Sequence, residues 1–158
     1  NGVFNTIWSI SVIEHINTNG LTDSDAARIM FNALKPGGRL IITVPVDKPG
    51  WIEYRNRPEY RGKARTDDEG DGKYFFQRFY DYELVQQRII GAIGKKPSIQ
   101  TWYGEKERGR FHKYIQHWME KGEVATINDP TEMAKNYQLY DNYDLMPGAG
   151  VCGLVFDK

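Results

Sequence analysis

One cysteine, Cys152, in 158 residues leaves no internal disulfide framework and points to a reducing, cytoplasmic setting. There is no excess charge either: 21 Lys and Arg balance 21 Asp and Glu. That balance gives no electrostatic case for a nucleic acid or a membrane surface as partner. Long apolar runs are also lacking. The longest, Leu40 to Val46, is interrupted by Thr43 and Pro45 and is far too short to cross a bilayer. No segment reads as a secretory leader, and no internal repeat or linker is visible. What the chain does have is a 40% hydrophobic content, enough for one core, and an aromatic content of 13% concentrated in irregular stretches.

Phe4-Asn5-Thr6-Ile7-Trp8-Ser9-Ile10 is short and rich in β-branched and aromatic residues, so it reads as a strand covered on both faces. Because this core-like strand follows so closely on Asn1, the chain is expected to be a fragment. Asn19-Gly20 marks a turn, and Thr22 with Asp25 forms a capping-box pattern. Ala26, Ile29, Met30, Ala33 and Leu34 then recur at helical spacing, which predicts a helix laid on a sheet. Pro36-Gly37-Gly38 stops it, and Arg39 to Val44 forms a second buried strand that Pro45 ends. Strand, helix, tight turn and strand make one right-handed βαβ unit.

Residues 47–79 and 104–147 lack a sustained period and read as insertions on the core of residues 1–46, 80–103 and 148–158. In the remaining core, Asp81 is expected to cap a helix whose inner stripe is Leu84, Val85, Arg88 (through its aliphatic stem), Ile89 and Ile93, ended by Gly91 or Gly94. Pro97 to Tyr103 reads as a third strand and Gly150 to Phe156 as the last. The second insertion is expected to be helical around Phe111–Met119 and Thr131–Tyr137.

The string FNTIWSISVIEHI, then an acidic-capped helix, Leu34-Lys35-Pro36-Gly37-Gly38 and RLIITVP, resembles the class I S-adenosylmethionine-dependent methyltransferases of the ubiquinone and small-molecule type. Phe4, Ile13-Glu14-His15 and the Leu-Lys-Pro-Gly-Gly turn stand in that family's places and order. GAGVCGLVFDK is similar to the family's terminal strand. The resemblance implies the C-terminal half of a Rossmann-like sheet, mostly parallel, with an antiparallel last strand between two parallel ones. Four strands are expected, in the order Phe4–Ser9, Leu40–Val44, Val151–Phe156, Ser98–Tyr103.

The same resemblance implies S-adenosyl-L-methionine as cofactor and methyl transfer to an oxygen or nitrogen of a small molecule. Ser9, Ile10 and Ser11, at a strand end where open sheets bind ligands, would border the cofactor. His15 is the candidate base, with a structural role in its own loop as the alternative. Glu14 reads as an acid at a helix N-terminus. Some relatives hold magnesium with Glu, Glu and His, but Ser11 stands where the first carboxylate would be, so no metal is expected. The Gly-rich loop and the ribose-binding acid are absent from the sequence, and Asn5 replaces the usual Asp. These residues alone are therefore expected to bind the cofactor poorly, and to self-associate through the exposed edge strand or pair with the missing N-terminal half. A non-catalytic assembly module and a nicotinamide dehydrogenase are the competing readings.

Other patterns carry less. Asp67, Glu69, Asp71 and Gly72 resemble the start of a calcium loop, but Arg78 falls where its last acid belongs. His112 and His117 lie about 140° apart around a helix and cannot share a face. Phe75 and Phe76 read as packing residues, with Trp51 and Tyr54 open between packing and a pocket wall.

Overall fold

The computed structural model describes residues 2–18, 20–57, 72–121 and 129–158. The chain runs through β1 (Phe4–Ile10), a 3-10 turn (Ile13–His15), the short pair β2 (Asn17–Thr18) and β3 (Leu21–Thr22), α1 (Asp23–Ala33) and β4 (Leu34–Val46). It continues through β5 (Trp51–Arg55), β6 (Tyr74–Phe79), α2 (Tyr82–Val85), a π-helical stretch (Gln86–Ile90), α3 (Gly91–Ile93) and β7 (Ile99–Glu105). The last elements are α4 (Arg110–Lys121), α5 (Asp129–Asn136), β8 (Tyr137–Tyr140) and β9 (Gly150–Asp157).

The main sheet has five strands in the order β1-β4-β9-β7-β8. β1 lies parallel to β4, while β9 runs antiparallel to both β4 and β7, between which it is inserted. The expected order of four strands is therefore present. The fifth strand, β8, is a correction: it falls in the stretch read as an insertion and pairs antiparallel with β7 at the sheet edge. With it, three of the four neighbouring pairs are antiparallel and one is parallel, so "mostly parallel" describes the shared direction of β1, β4 and β7 and not the ladder.

Local chemistry explains the βαβ unit. Thr22 Oγ1 accepts from Asp25 N, and Asp25 Oδ2 accepts in return from Thr22 N, so both ends of the capping box form. The residue before a proline is driven out of helical space, so α1 stops at Ala33 and Leu34 and Lys35 extend toward Pro36. Gly37 takes φ +75°, and a Cβ on Gly38 would sit 2.9 Å from the carbonyl oxygen of Lys35. Both glycines are thus required by the turn. The inner face of α1 is Asp23, Ala26 and Ala27, with Met30 and Phe31 packed beside the core, whereas Ile29 is exposed, contrary to expectation. The core lies where α1 and residues 82–93 cover one face of the sheet, around Leu40, Ile42, Val44, Leu154 and Phe156.

Three further differences concern the helix after Tyr80, the covering of β1 and the end of β4. Asp81 Oδ1 caps the helix through Leu84 N at 2.9 Å, and Gly94 ends it at φ +72°. Its middle is π-helical, and Arg88 does not pack as an aliphatic stem but reaches Asp23 with its guanidinium. β1 is not covered on both faces: Trp8 is 75% exposed and Ile10 55%. β4 also continues through Pro45 to Val46, which stay in register with Val151 and Gly150 of β9, while the Pro45 carbonyl accepts from Tyr80 N. Among the described residues no helix is long and apolar enough to cross a membrane.

Candidate functional site

The parallel pairing of β1 with β4 ends where Ile10, the last residue of β1, meets Thr43. Immediately beyond, Ser11 adopts φ +49°, an unusual conformation for a residue with a side chain, held by two bonds from its N–H to the carbonyl and hydroxyl of Thr43. Ser9 Oγ is buried and has no hydrogen-bond partner. The expected cofactor residues are thus an orphaned hydroxyl, an exposed apolar side chain and a bent backbone at one strand end. The two side chains lie on opposite faces of β1, Ser9 buried and Ile10 exposed, so of the two only Ile10 offers a surface to a ligand.

Two residues on, the 3-10 turn carries Glu14 and His15. Glu14 lies in the first turn of this short helix as expected, but it is 2% exposed, Oε2 has no hydrogen-bond partner, and burial pushes its pKa up to about 7. His15 Nδ1 is 2.8 Å from the carbonyl oxygen of Phe76, a bond that makes Nδ1 the protonated nitrogen and leaves the lone pair on Nε2. Its burial lowers the imidazole pKa, so the ring is neutral, and competent as a base, at neutral pH. Nε2 lies 3.9 Å from Glu14 Oε1.

His15 also forms part of the wall of a cavity of about 410 Å³ between the β5–β6 hairpin and α4. The hairpin is a correction to the first insertion, which showed no period. Trp51 pairs with Phe79 and Arg55 with Tyr74 across it. Trp51 stacks on Phe79 at 4.4 Å between ring centroids, and Phe111 meets Phe79 edge-on at 5.8 Å. Phe76, read as a packing residue, is part of the cavity wall, with His15 edge-on to it at 4.9 Å and the Arg55 guanidinium 3.3 Å above its ring centroid. Phe75 is buried as expected. Glu53 accepts from Arg55 Nε and Gln77 Nε2, which makes the polar part of the wall a held network. Ser9, Ile10 and Ser11 do not line this cavity; of the sequence-derived site residues only His15 does.

Sequence reasoning missed two acids that shape the site. Asp47, just past β4, is 7% exposed; its Oδ2 accepts from Trp51 Nε1 at 3.0 Å and lies 3.3 Å from His112 Nε2. Glu105, at the end of β7, is 1% exposed and accepts from the backbone N–H groups of Gly109, Phe111 and Ala149 at 2.8 to 3.0 Å. It therefore fixes the entry of α4, which carries Phe111 and His112. Glu105→Gln replaces one acceptor oxygen by a donor facing backbone donors, and is expected to cost about 1–3 kcal/mol in urea unfolding. A loss within error would mean that α4 is held by its apolar contacts alone.

Among the described residues no group of three or more His, Cys, Asp or Glu side chains could hold a metal ion. Asp67, Glu69 and Asp71 lie outside the described residues. Cys152 is buried on β9, where desolvation pushes its thiol up to about 12, so it is not a nucleophile near neutral pH.

No family model matches the chain, and no curated protein does. Among solved structures the chain is similar to the cyclase SpnF at 14% identity and a TM-score of 0.43, over 99% of this chain and 51% of that one. It is also similar to phosphoethanolamine N-methyltransferase 2 of Haemonchus contortus in complex with S-adenosyl-L-methionine, at 13% identity and a TM-score of 0.41, over 98% of this chain and 33% of that one. The same enzyme with phosphomonomethylethanolamine and S-adenosylhomocysteine gives 13% identity and a TM-score of 0.40, over 98% and 33%. The chain thus spans about half the length of the first and a third of the second.

Proposed function

We propose that these residues are the C-terminal half of a class I S-adenosylmethionine-dependent methyltransferase acting on an oxygen or nitrogen of a small molecule. The observation that carries this reading is β9, an antiparallel strand inserted between β4 and β7, which themselves share one direction. A nicotinamide-binding sheet of the doubly wound type continues in parallel past this point. The ordered motifs Ile13-Glu14-His15 and Leu34-Lys35-Pro36-Gly37-Gly38 support the same family.

Ser9, Ile10 and Ser11 are proposed to border the cofactor at the end of β1, with the exposed Ile10 side chain against its apolar part. S-adenosyl-L-methionine, when bound, supplies an electrophilic methyl group. His15 is the proposed base: its neutral ring takes the proton from the acceptor through Nε2 while the Phe76 carbonyl holds Nδ1–H. The cavity wall holds the acceptor and excludes water, and most of the rate comes from that alignment.

In a protein that includes the Gly-rich loop, Ile10→Asp is expected to weaken S-adenosylmethionine binding, because it sets a charge where the reading places an apolar contact. His15→Ala is expected to lower turnover about a hundredfold while leaving cofactor affinity unchanged. Isothermal titration and a methyl-transfer assay read the two separately. Unchanged turnover with a lowered melting temperature would give His15 a structural role only. Unchanged cofactor affinity in Ile10→Asp would remove the cofactor from the end of β1.

A further inference from the structure

Two histidines line the cavity, and the second has the better-supported ring. His112, on α4, sets Nε2 at 3.3 Å from the Asp47 carboxylate, so Nε2 carries the proton and Nδ1 is the acceptor nitrogen. Asp47 is itself immobilised. Its N–H donates to the Tyr80 carbonyl, its carbonyl accepts from the Tyr143 hydroxyl, and its carboxylate accepts from Lys48 N and Trp51 Nε1. The same aspartate thus orients one imidazole and the indole that stacks on Phe79. A buried carboxylate behind a half-exposed imidazole is the arrangement that makes a histidine accept a proton or a hydrogen bond at its far nitrogen.

The rest of the wall defines what else a molecule beside His112 meets. Phe76, Phe79, Phe111 and Ile115 are apolar, and the Glu53–Arg55–Gln77 group has its charges paired within itself. A sugar would need hydrogen bonds around its whole rim, whereas a flat ring needs apolar faces and a few placed polar groups. A volume of about 410 Å³ suits a molecule of one or two rings.

We infer that this cavity receives an aromatic molecule with a hydroxyl held by the His112–Asp47 pair, its ring lying against the apolar wall. In the methyl transfer proposed above, on which the substrate role rests, His112 is then a positioning residue. The nucleophile served by His15 is a second polar substituent on the same ring.

The probe is para-nitrophenol, whose absorption band reports the state of its hydroxyl, titrated into the protein without cofactor. Wild type is expected to bind it saturably, with the band moved toward that of the phenolate. Nitrobenzene, which lacks the hydroxyl, is expected to bind about tenfold more weakly, as for the loss of one good hydrogen bond. His112→Gln and Asp47→Asn should each weaken para-nitrophenol about tenfold and abolish the band shift, whereas His15→Ala keeps the shift. Ile115→Trp, which fills the cavity from α4, should prevent binding. The inference is overturned if nitrobenzene binds equally well, if methyl glucoside binds and para-nitrophenol does not, or if no variant changes a wild-type affinity. It also fails if the shift depends on His15 and not on His112, an outcome that leaves methyl transfer with His15 as base untouched. Melting temperatures confirm that each variant is folded, and since His112 is exposed its replacement is expected to leave the fold intact.

Discussion

Asp23→Ala is expected to remove about 3–5 kcal/mol of folding stability, the usual consequence of removing the buried partner from a charge network. Asp23 is the first residue of α1 and is 2% exposed. Its carboxylate takes the Arg88 guanidinium through Nε and Nη2, the Tyr80 hydroxyl at 2.6 Å and the Ser24 N–H at 3.0 Å, with Arg78 Nε at 3.6 Å. Truncation strands two guanidiniums and the hydroxyl of a fully buried tyrosine at once. It also disconnects three segments that the core alone does not align: α1, the end of β6 and the π-helical stretch. Burial and the neighbouring carboxylate together push the Tyr80 phenol far up, so it stays a donor at any working pH. Asp23→Asn keeps an acceptor for Tyr80 and is expected to lose less than Asp23→Ala. Equal losses would mean that charge, and not the hydroxyl bond, dominates. A loss under about 1 kcal/mol in Asp23→Ala would show that the guanidiniums find water instead.

The parts of this fold that were legible in sequence are those specified by neighbours in the chain. The capping box Thr22–Asp25 and the turn at Gly37-Gly38 each depend on residues within one or two turns, and each is present, while the periodic face of α1 holds at Ala26 and Met30 but not at Ile29. What was not legible depends on partners far along the chain. β5 and β6 are joined by residues 56–73 and not by a two-residue turn, so no turn signal marks the hairpin. β8 has four residues, of which Gln138 and Leu139 are exposed, and only its pairing with β7 makes it a strand. Arg88 was assigned by its spacing to an apolar stripe, and only the fold brings it to Asp23, 65 residues away.

The site divides in the same way. Ser9, Ile10, Ser11 and His15 could be placed at a strand end from one stretch of sequence. The cavity that His15 enters could not, because its walls come from a hairpin and a helix that the chain pattern leaves separate. His112 and Asp47 are also 65 residues apart and belong to no spacing motif. In the sequence His112 drew notice only as an unsuitable companion for His117. Glu14 is in a helix first turn, as its neighbours predicted, but the helix is a single 3-10 turn that buries the carboxyl, and nothing local in the sequence shows that burial.

That burial gives the second large effect, a loss of stability between acidic and neutral pH that Glu14→Gln should abolish. The folded-state pKa of Glu14 is raised from 4.5 to about 7, chiefly by desolvation, with its own backbone N–H and Ser11 pulling it partly back. Below about pH 4.5 the carboxyl is protonated in both folded and unfolded chains, and the group contributes nothing to the difference. Between 4.5 and about 7 the folded chain holds a proton that the unfolded chain has released, so stability falls as pH rises. The full change is roughly 3 kcal/mol at about 1.4 kcal/mol per pH unit, and it is complete once pH exceeds the folded value. His15 slopes the other way. Its folded pKa is lowered, so its stabilising contribution grows with pH up to its unfolded value of 6.5, and wild type alone shows only the sum. Glu14→Gln isolates the carboxyl: the amide has the same shape, cannot ionise, and meets the same unpartnered surroundings at Oε2. Urea unfolding at about pH 4 should find variant and wild type nearly equal, and at about pH 8 the variant more stable by roughly 2–3 kcal/mol. A variant no more stable than wild type at the higher pH would show that Glu14 ionises in the folded chain at little cost, with water or an ion pair to His15 meeting the oxygen that now has no partner.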